Sequence, residues 1–334
     1  MSTLEHDLDR IAAETGFSGV VRVDGPEGIE VVRAYGLADR AHAIPNEPET
    51  QFGTASGTKG LTALVVMRLV EDRALELATT ARSVLGADLP LIDDRVTVEH
   101  LLAHRSGIGD YLDEELETDL PEYPMPVPVQ ELATTEAYLG VLDGHPQKFE
   151  PDERFGYCNS GYVLLAVIAE RTAATPFPDL VRDLVCTPAR MGDTAFLRSD
   201  DLPGRAAIGY TQVGGEWRTN VFHLPVRGSG DGGIYTTTAD VAAFWRALFA
   251  GSIVRESTLA EMLRERSAAR PDRGYGLGFW LPTGGRAVQL EGGDVGVAFR
   301  SVHDPDRLVT WTLLSNTREG AKEMVARIAR EHAV

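Results

Sequence analysis

The pattern of apolar and polar positions divides the chain into three stretches. Residues 1–16 mix charged and apolar positions as a short amphipathic helix does. Gly19 to Asp24 and Glu30 to Tyr35 are β-branched-rich runs on either side of Gly25-Pro26-Glu27-Gly28, which predicts a hairpin. From Gly57 to about Leu75 the sequence is apolar on nearly every face at its middle, so it predicts a buried helix. Helical patterns continue at Val96–His104, Ser160–Arg171 and Pro178–Leu184, and at Ala239–Ala250 behind Thr238 as a cap. Strand patterns resume at Leu277–Leu281, Val288–Leu290, Val297–Val302 and Val309–Leu314, before a terminal helix from Arg318 to Glu331. Strands at both ends around a helical middle predict an α+β fold. One antiparallel sheet is built from both chain ends, with the helical part inserted.

Composition narrows the class. A chain of 334 residues exceeds the usual single core, which predicts two interleaved subdomains, the sheet-bearing 1–55 with 226–334 and the mainly helical 56–225, or two domains sharing an interface, a common place for a site. A net charge of −18 argues against nucleic acid and anionic membrane surfaces. The N-terminus has no basic segment followed by an apolar one, and no run is long enough to span a bilayer, so the expectation is a soluble cytoplasmic protein. Cys158 and Cys186 are expected as two buried thiols. Asp110 to Pro128 holds seven acids and four prolines without periodicity and reads as an irregular flap, within a broader flap region 110–150. Nothing in the sequence specifies an oligomeric state.

The chemistry concentrates first at Phe52-Gly-Thr-Ala-Ser56-Gly-Thr-Lys59-Gly60, where a serine and a lysine three residues apart share one face of a helix start. A hydroxyl needs a base within hydrogen-bond reach to become a nucleophile, and an amine can serve where burial favours its neutral form. An arginine cannot, and 29 of the 32 basic residues are arginines. The bland alternative is a capping serine and a solvated lysine. Against it, a cation in a first helical turn opposes the helix dipole by about 0.3–1 kcal/mol. A second constellation is Phe155-Gly-Tyr157-Cys158-Asn159-Ser160, leading into a helix. Tyr157 offers a phenol to relay a proton, and Asn159 an amide to hold Lys59 and a substrate carbonyl. A core tyrosine and a helix-capping Asn159 or Ser160 are the competing readings.

With these motifs in view, the chain resembles the serine β-lactamase-like superfamily, which contains class C β-lactamases, low-molecular-weight D-alanyl-D-alanine peptidases and related esterases. Ser56-Gly-Thr-Lys59 resembles its first motif and Tyr157-Cys-Asn159 its second. Pro48-Glu-Thr-Gln-Phe52, His100-Leu-Leu-Ala-His104-Arg-Ser-Gly-Ile108, Arg190-Met-Gly-Asp-Thr-Ala-Phe196 and Tyr275-Gly-Leu-Gly-Phe-Trp280 extend the likeness over nearly the whole chain. The resemblance implies an α/β sandwich plus an all-helical subdomain, with acyl-enzyme chemistry at their junction, Ser56 as nucleophile, Lys59 and Tyr157 moving protons, and no metal or cofactor. Its third motif, Lys, His or Trp, any residue, then Gly, is matched best by Glu291-Gly292-Gly293, followed by Asp294. That alignment implies an oxyanion hole from the backbone N–H groups of Ser56 and Asp294. It also puts an acid where a cation is usual. Glu291 and the acidic flap therefore favour a neutral or cationic ester or amide over a carboxylate-bearing β-lactam or D-alanyl-D-alanine peptide.

Other signals are weaker. His100 and His104 have a zinc-compatible spacing but lack the glutamate and a third ligand, so packing histidines are expected. Gly228-Ser-Gly230-Asp-Gly-Gly233 fits a dinucleotide fingerprint without a strand–turn–helix setting, and is expected to be a flexible loop near the site. No G-x-S-x-G elbow is present. The rival from a different class is a non-catalytic receptor or regulatory module on the same fold.

Overall fold

A computed structural model describes residues 2–115 and 125–332. The main elements, in chain order, are α1 (Thr3–Thr15), β1 (Gly19–Gly25), β2 (Gly28–Tyr35), α2 (Thr58–Glu71), α3 (Asn159–Ala173) and α4 (Thr238–Phe249). Then follow β3 (Ser267–Arg270), β4 (Arg273–Tyr275), β5 (Trp280–Pro282), β6 (Val288–Asp294), β7 (Val297–Asp304), β8 (Val309–Ser315) and α5 (Ala321–His332). All eight strands form one antiparallel sheet in the order β2-β1-β8-β7-β6-β5-β4-β3. The first and last strands of the chain are thus neighbours, with Val20 opposite Leu314 and Val21 opposite Leu313.

Strand alternation sends side chains to two cores. Val21, Val23, Trp311 and Leu313 pack with Leu4, Leu8 and Ile11 of α1 and Met324 and Ile328 of α5. Val20, Leu290, Phe299 and Leu314 face the opposite way, into a larger core with α2, α3 and α4. The central helix α3 is buried on every side from Asn159 to Ala169. Each Leu or Val so enclosed contributes about 1.5–3 kcal/mol. A glycine lets α2 approach the sheet: a Cβ on Gly60 would sit 2.5 Å from Leu290 of β6. That contact brings the start of α2 against β6.

The α+β organisation matches the expectation, with local differences. The strand expected at Leu277–Leu281 is split into β4 and β5, because Gly278 takes φ +90° with Ala63 of α2 against it. The segment expected to be helical or looped also holds a hairpin, Tyr210–Val213 with Glu216–Thr219. Thr237, not Thr238, caps α4, its side chain accepting from Asp240 N. The helix expected at Pro178–Leu184 is Phe177–Val181, continued by a π turn at Arg182–Cys186. Both cysteines are free and buried. Of the expected flap, residues 116–124 lie outside the described residues. Its first residues, Asp110 and Tyr111, are buried rather than irregular surface. No helix among the described residues is long and apolar enough to cross a membrane.

Candidate active site

Ser56 sits in a short 3-10 turn, Ala55–Gly57, that runs straight into α2. No side chain caps either start, so Ser56 is not the N-cap of the bland reading. Ala55 before it has φ +45°, a left-handed conformation that a residue with a Cβ adopts at a cost of order 1 kcal/mol. The turn is held from outside: a Cβ on Gly292 of β6 would fall 2.1 Å from Thr54 O and 2.7 Å from Ser56 N. Only glycine allows β6 to run that close to the Ser56 backbone.

Lys59, one turn along, is 2% exposed. Its Nζ donates to Ser56 Oγ at 2.9 Å, to Asn159 Oδ1 at 2.8 Å and to the carbonyl of Asp231 at 2.8 Å. The Tyr157 hydroxyl is hydrogen-bonded to Ser56, and the Lys59 Nζ lies 4.9 Å from the centre of the Tyr157 ring. Burial, reinforced by Glu114, holds the Tyr157 phenol well above its usual pKa, so it is a protonated phenol at neutral pH. Four of the residues singled out in the sequence are therefore in one hydrogen-bonded group.

Asn159 is the first residue of α3, and its orientation is set by donation from Nδ2 to Leu112 O at 2.9 Å and to Glu114 at 3.3 Å. Neither Asn159 nor Ser160 caps the helix. Asp110 does so from a distant loop, accepting from Asn159 N at 2.7 Å and from Ser160 N at 2.9 Å. The buried Tyr111 next to it donates to the Asp231 carboxylate. Asp231 belongs to the glycine run 228–233, which is a packed turn rather than a flexible loop. Ser229 pairs with Gly232, and a Cβ on Gly230 would lie 2.2 Å from Tyr162 O. That close packing delivers the Asp231 carbonyl to Lys59.

His104 lies under the site without contacting a metal cluster, none being present among the described residues. Its Nδ1 accepts from Cys158 N at 3.1 Å, and its ring is 4.4 Å from that of Tyr157. Burial, with Lys59 adding to it, keeps its pKa well below the usual value. His100 instead closes a capping box with Thr97.

These groups open on a cleft of about 390 Å³. Its lining includes Ser56, Tyr157, Asn159, residues 111–114, Trp280, Gly292, Gly293, Asp294, Arg270, Arg300 and Arg318. A Cβ on Gly293 would meet nothing within 4 Å, so this position faces open cleft. Asp294 ends β6 beside it, its carboxyl pushed up to about 6 by burial.

Glu291 also lines the cleft, but not as a lone acid. Its carboxylate is 2.7 Å from Arg273, 2.6 Å from Arg300 and 3.6 Å from Arg270, and it accepts from Gln289 at 3.0 Å. The repulsion of substrate carboxylates expected from Glu291 loses its basis, because its charge is more than balanced locally. Glu114, Asp231 and these arginines were given no role in the sequence, and Asp110 and Trp280 stood there only as the ends of longer segments. The one signal that pointed toward any of them was an acid inside a glycine run, since glycines mark close backbone approach.

A family model described as Beta-lactamase matches residues 4–334. PbpX of Bacillus subtilis is 26% identical over 280 residues, covering 81% of this chain and 64% of PbpX. Esterase EstB of Burkholderia gladioli is 29% identical over 316 residues, covering 83% of this chain and 77% of EstB. This chain therefore spans under two thirds of one relative and about three quarters of the other. The crystal structure of a penicillin-binding protein from Bacillus halodurans superimposes with a TM-score of 0.91 at 33% identity, covering 97% of this chain and 99% of that one. With the family model spanning nearly every residue, and relatives that include an esterase, the chain belongs to the Beta-lactamase family.

Proposed function

We propose that this protein is a serine hydrolase that cleaves an ester or amide through an acyl-enzyme on Ser56. The observation that carries this reading is the environment of Lys59. The amine lies within hydrogen-bond distance of the Ser56 hydroxyl, while the Asn159 Oδ1 and Asp231 carbonyl oxygens fix its position. That geometry is what a general base needs to take the serine proton.

In the reaction, Lys59 takes the Ser56 proton as Oγ bonds to the carbonyl carbon and the carbonyl π pair moves to oxygen. The backbone N–H groups of Ser56 and Asp294 stabilise that oxyanion, and Gly292 and Gly293 leave room for the substrate beside them. The oxyanion collapses, the bond to the leaving atom breaks, and the proton returns to that atom through Tyr157, which its environment keeps protonated. Water then attacks the acyl-enzyme by the same route in reverse and releases the acid. The cleft lining draws residues from both proposed subdomains, 1–55 with 226–334 and 56–225. EstB, an esterase by name, is consistent with this chemistry.

The test is a fluorophosphonate probe, which labels an activated serine. Ser56→Ala is expected to abolish both labelling and turnover of p-nitrophenyl esters. Labelling that persists in Ser56→Ala would move the nucleophile to another residue, and none in the native protein would favour the non-catalytic receptor instead.

A further inference from the structure

The segment from His104 to Asp110 meets the start of α3 through three consecutive amides. Asp110 accepts from Asn159 N and Ser160 N, and the N–H just before them, that of Cys158, donates to His104 Nδ1 at 3.1 Å. The main-chain carbonyl of His104 accepts from Gly156 N at 2.9 Å. His104 therefore grips the backbone on either side of Tyr157. The peptide it holds is also the link between Tyr157, whose hydroxyl is bonded to Ser56, and Asn159, whose Oδ1 accepts from Lys59.

Packing alone does not account for a histidine at this place. His104 has φ +54°, in the left-handed region that opposes a Cβ. Its side chain is fully buried, and Nε2 has no hydrogen-bond partner among the described residues. The rings of Phe155, Tyr162 and Tyr275 close round it, with centroids at 5.8, 4.9 and 4.9 Å. An unpaired ring nitrogen in such a box is destabilising, and an apolar ring would fill the same space without it. What an apolar ring lacks is an acceptor for the N–H of Cys158, which is itself buried.

The same bond fixes the protonation pattern. An amide N–H only donates, so Nδ1 presents its lone pair and the proton of the neutral ring sits on Nε2. A doubly protonated ring could not accept from Cys158. Burial and the nearby charge of Lys59 both oppose that second proton, which keeps the ring in its accepting form at neutral pH.

We propose that His104 is a positioning residue: with its proton on Nε2, it fixes the peptide between Tyr157 and Asn159 so that the phenol meets Ser56 while the amide oxygen meets Lys59. It touches neither the substrate nor the reacting atoms. Its influence is through geometry, where a misplacement of about 1 Å can cost about 10²-fold in rate. Only this kinetic consequence rests on the proposed hydrolase reading; the grip on the peptide does not.

The first measurement needs no variant. Long-range nitrogen–proton NMR of the native protein at neutral pH is expected to show Nδ1 of His104 unprotonated and Nε2 protonated, and a proton on Nδ1 would overturn the inference. The second compares two replacements. His104→Phe keeps a ring but deletes the acceptor, whereas His104→Asn puts an amide oxygen in the place of Nδ1 and suits the left-handed backbone. Per fluorophosphonate-titrated site, His104→Phe is expected to lower kcat for a p-nitrophenyl ester about 10–100-fold with KM nearly kept, and to speed hydrogen exchange at the Cys158 amide. His104→Asn should recover most of both losses. Native kcat in His104→Phe, or equal losses in the two variants, would show a packing residue only. If the native protein is not labelled at Ser56, the hydrolase reading fails by itself, and the tautomer and the Cys158 exchange still decide whether His104 holds the peptide.

Discussion

Two polar clusters sit on the same cleft and are built on opposite principles. Around Lys59, every donor has an acceptor and the amine is sealed from solvent. Around Glu291, three guanidinium groups share two acids, and those of Arg270 and Arg300 stay partly open. The first arrangement suits a group that must hold one geometry through a proton transfer, since an unsatisfied buried charge would cost several kcal/mol. The second keeps its spare donors in solvent, where they lose little. Satisfaction of hydrogen bonds separates the two clusters here better than charge does.

The comparison is broken most severely by changing the matched cluster. Lys59→Arg keeps a cation that cannot give up its proton, and a planar guanidinium cannot reach the same three partners. Ester turnover is expected to fall about 10²–10⁴-fold with the melting temperature nearly kept. Retained turnover would mean that Lys59 is electrostatic rather than basic.

A smaller effect is expected at the unmatched cluster. Glu291→Gln leaves three arginines facing one another without their shared acid, and the side chain is 17% exposed. A loss of about 1–3 kcal/mol in unfolding free energy is expected, partly relieved by added salt or chloride. No loss would show that Glu291 does not hold the three arginines together.

The smallest effect separates the two clusters by pH. His104 is fully buried beneath Tyr157 and its folded-state pKa lies well below the unfolded value near 6.5. As pH falls below about 6.5 the unfolded chain binds a proton that the folded chain refuses, so stability is complete above that pH and declines below it. The slope difference between the native protein and His104→Phe should approach about 1.4 kcal/mol per pH unit between pH 6 and 5. Because Asp294 is raised to about 6 it contributes the opposite sign, so the difference between variants is the quantity to read. Denaturant melts across that range measure it directly. Equal slopes would place the His104 proton affinity near that of free histidine.

Much of the matched cluster was legible in the linear chain. Ser56 and Lys59 are one helical turn apart, and Tyr157 and Asn159 lie at one helix start, so local geometry alone puts each pair on a common face. Joining the two pairs took the resemblance to a family. Asp110 and Asp231 were not legible, because one acts as a cap 49 residues from Asn159 and the other contributes a backbone carbonyl, which has no side-chain signature. The hairpin, the buried helices and the sheet from both chain ends followed from periodicity. The break between β4 and β5 did not, since it depends on what packs against Gly278.

Glu291 marks the boundary most clearly. By itself the sequence determined which residues bear chemistry within a turn of helix or a strand: a serine with its lysine, a tyrosine with its asparagine, an acid at the third motif. Only the tertiary structure decided the sign of the field at that acid, because Arg270, Arg273 and Arg300 reach it across strand pairings and not along the chain. Covalent neighbours set side-chain spacing through helix and strand geometry, whereas a Coulomb field depends on through-space distance, which only the folded sheet assigns.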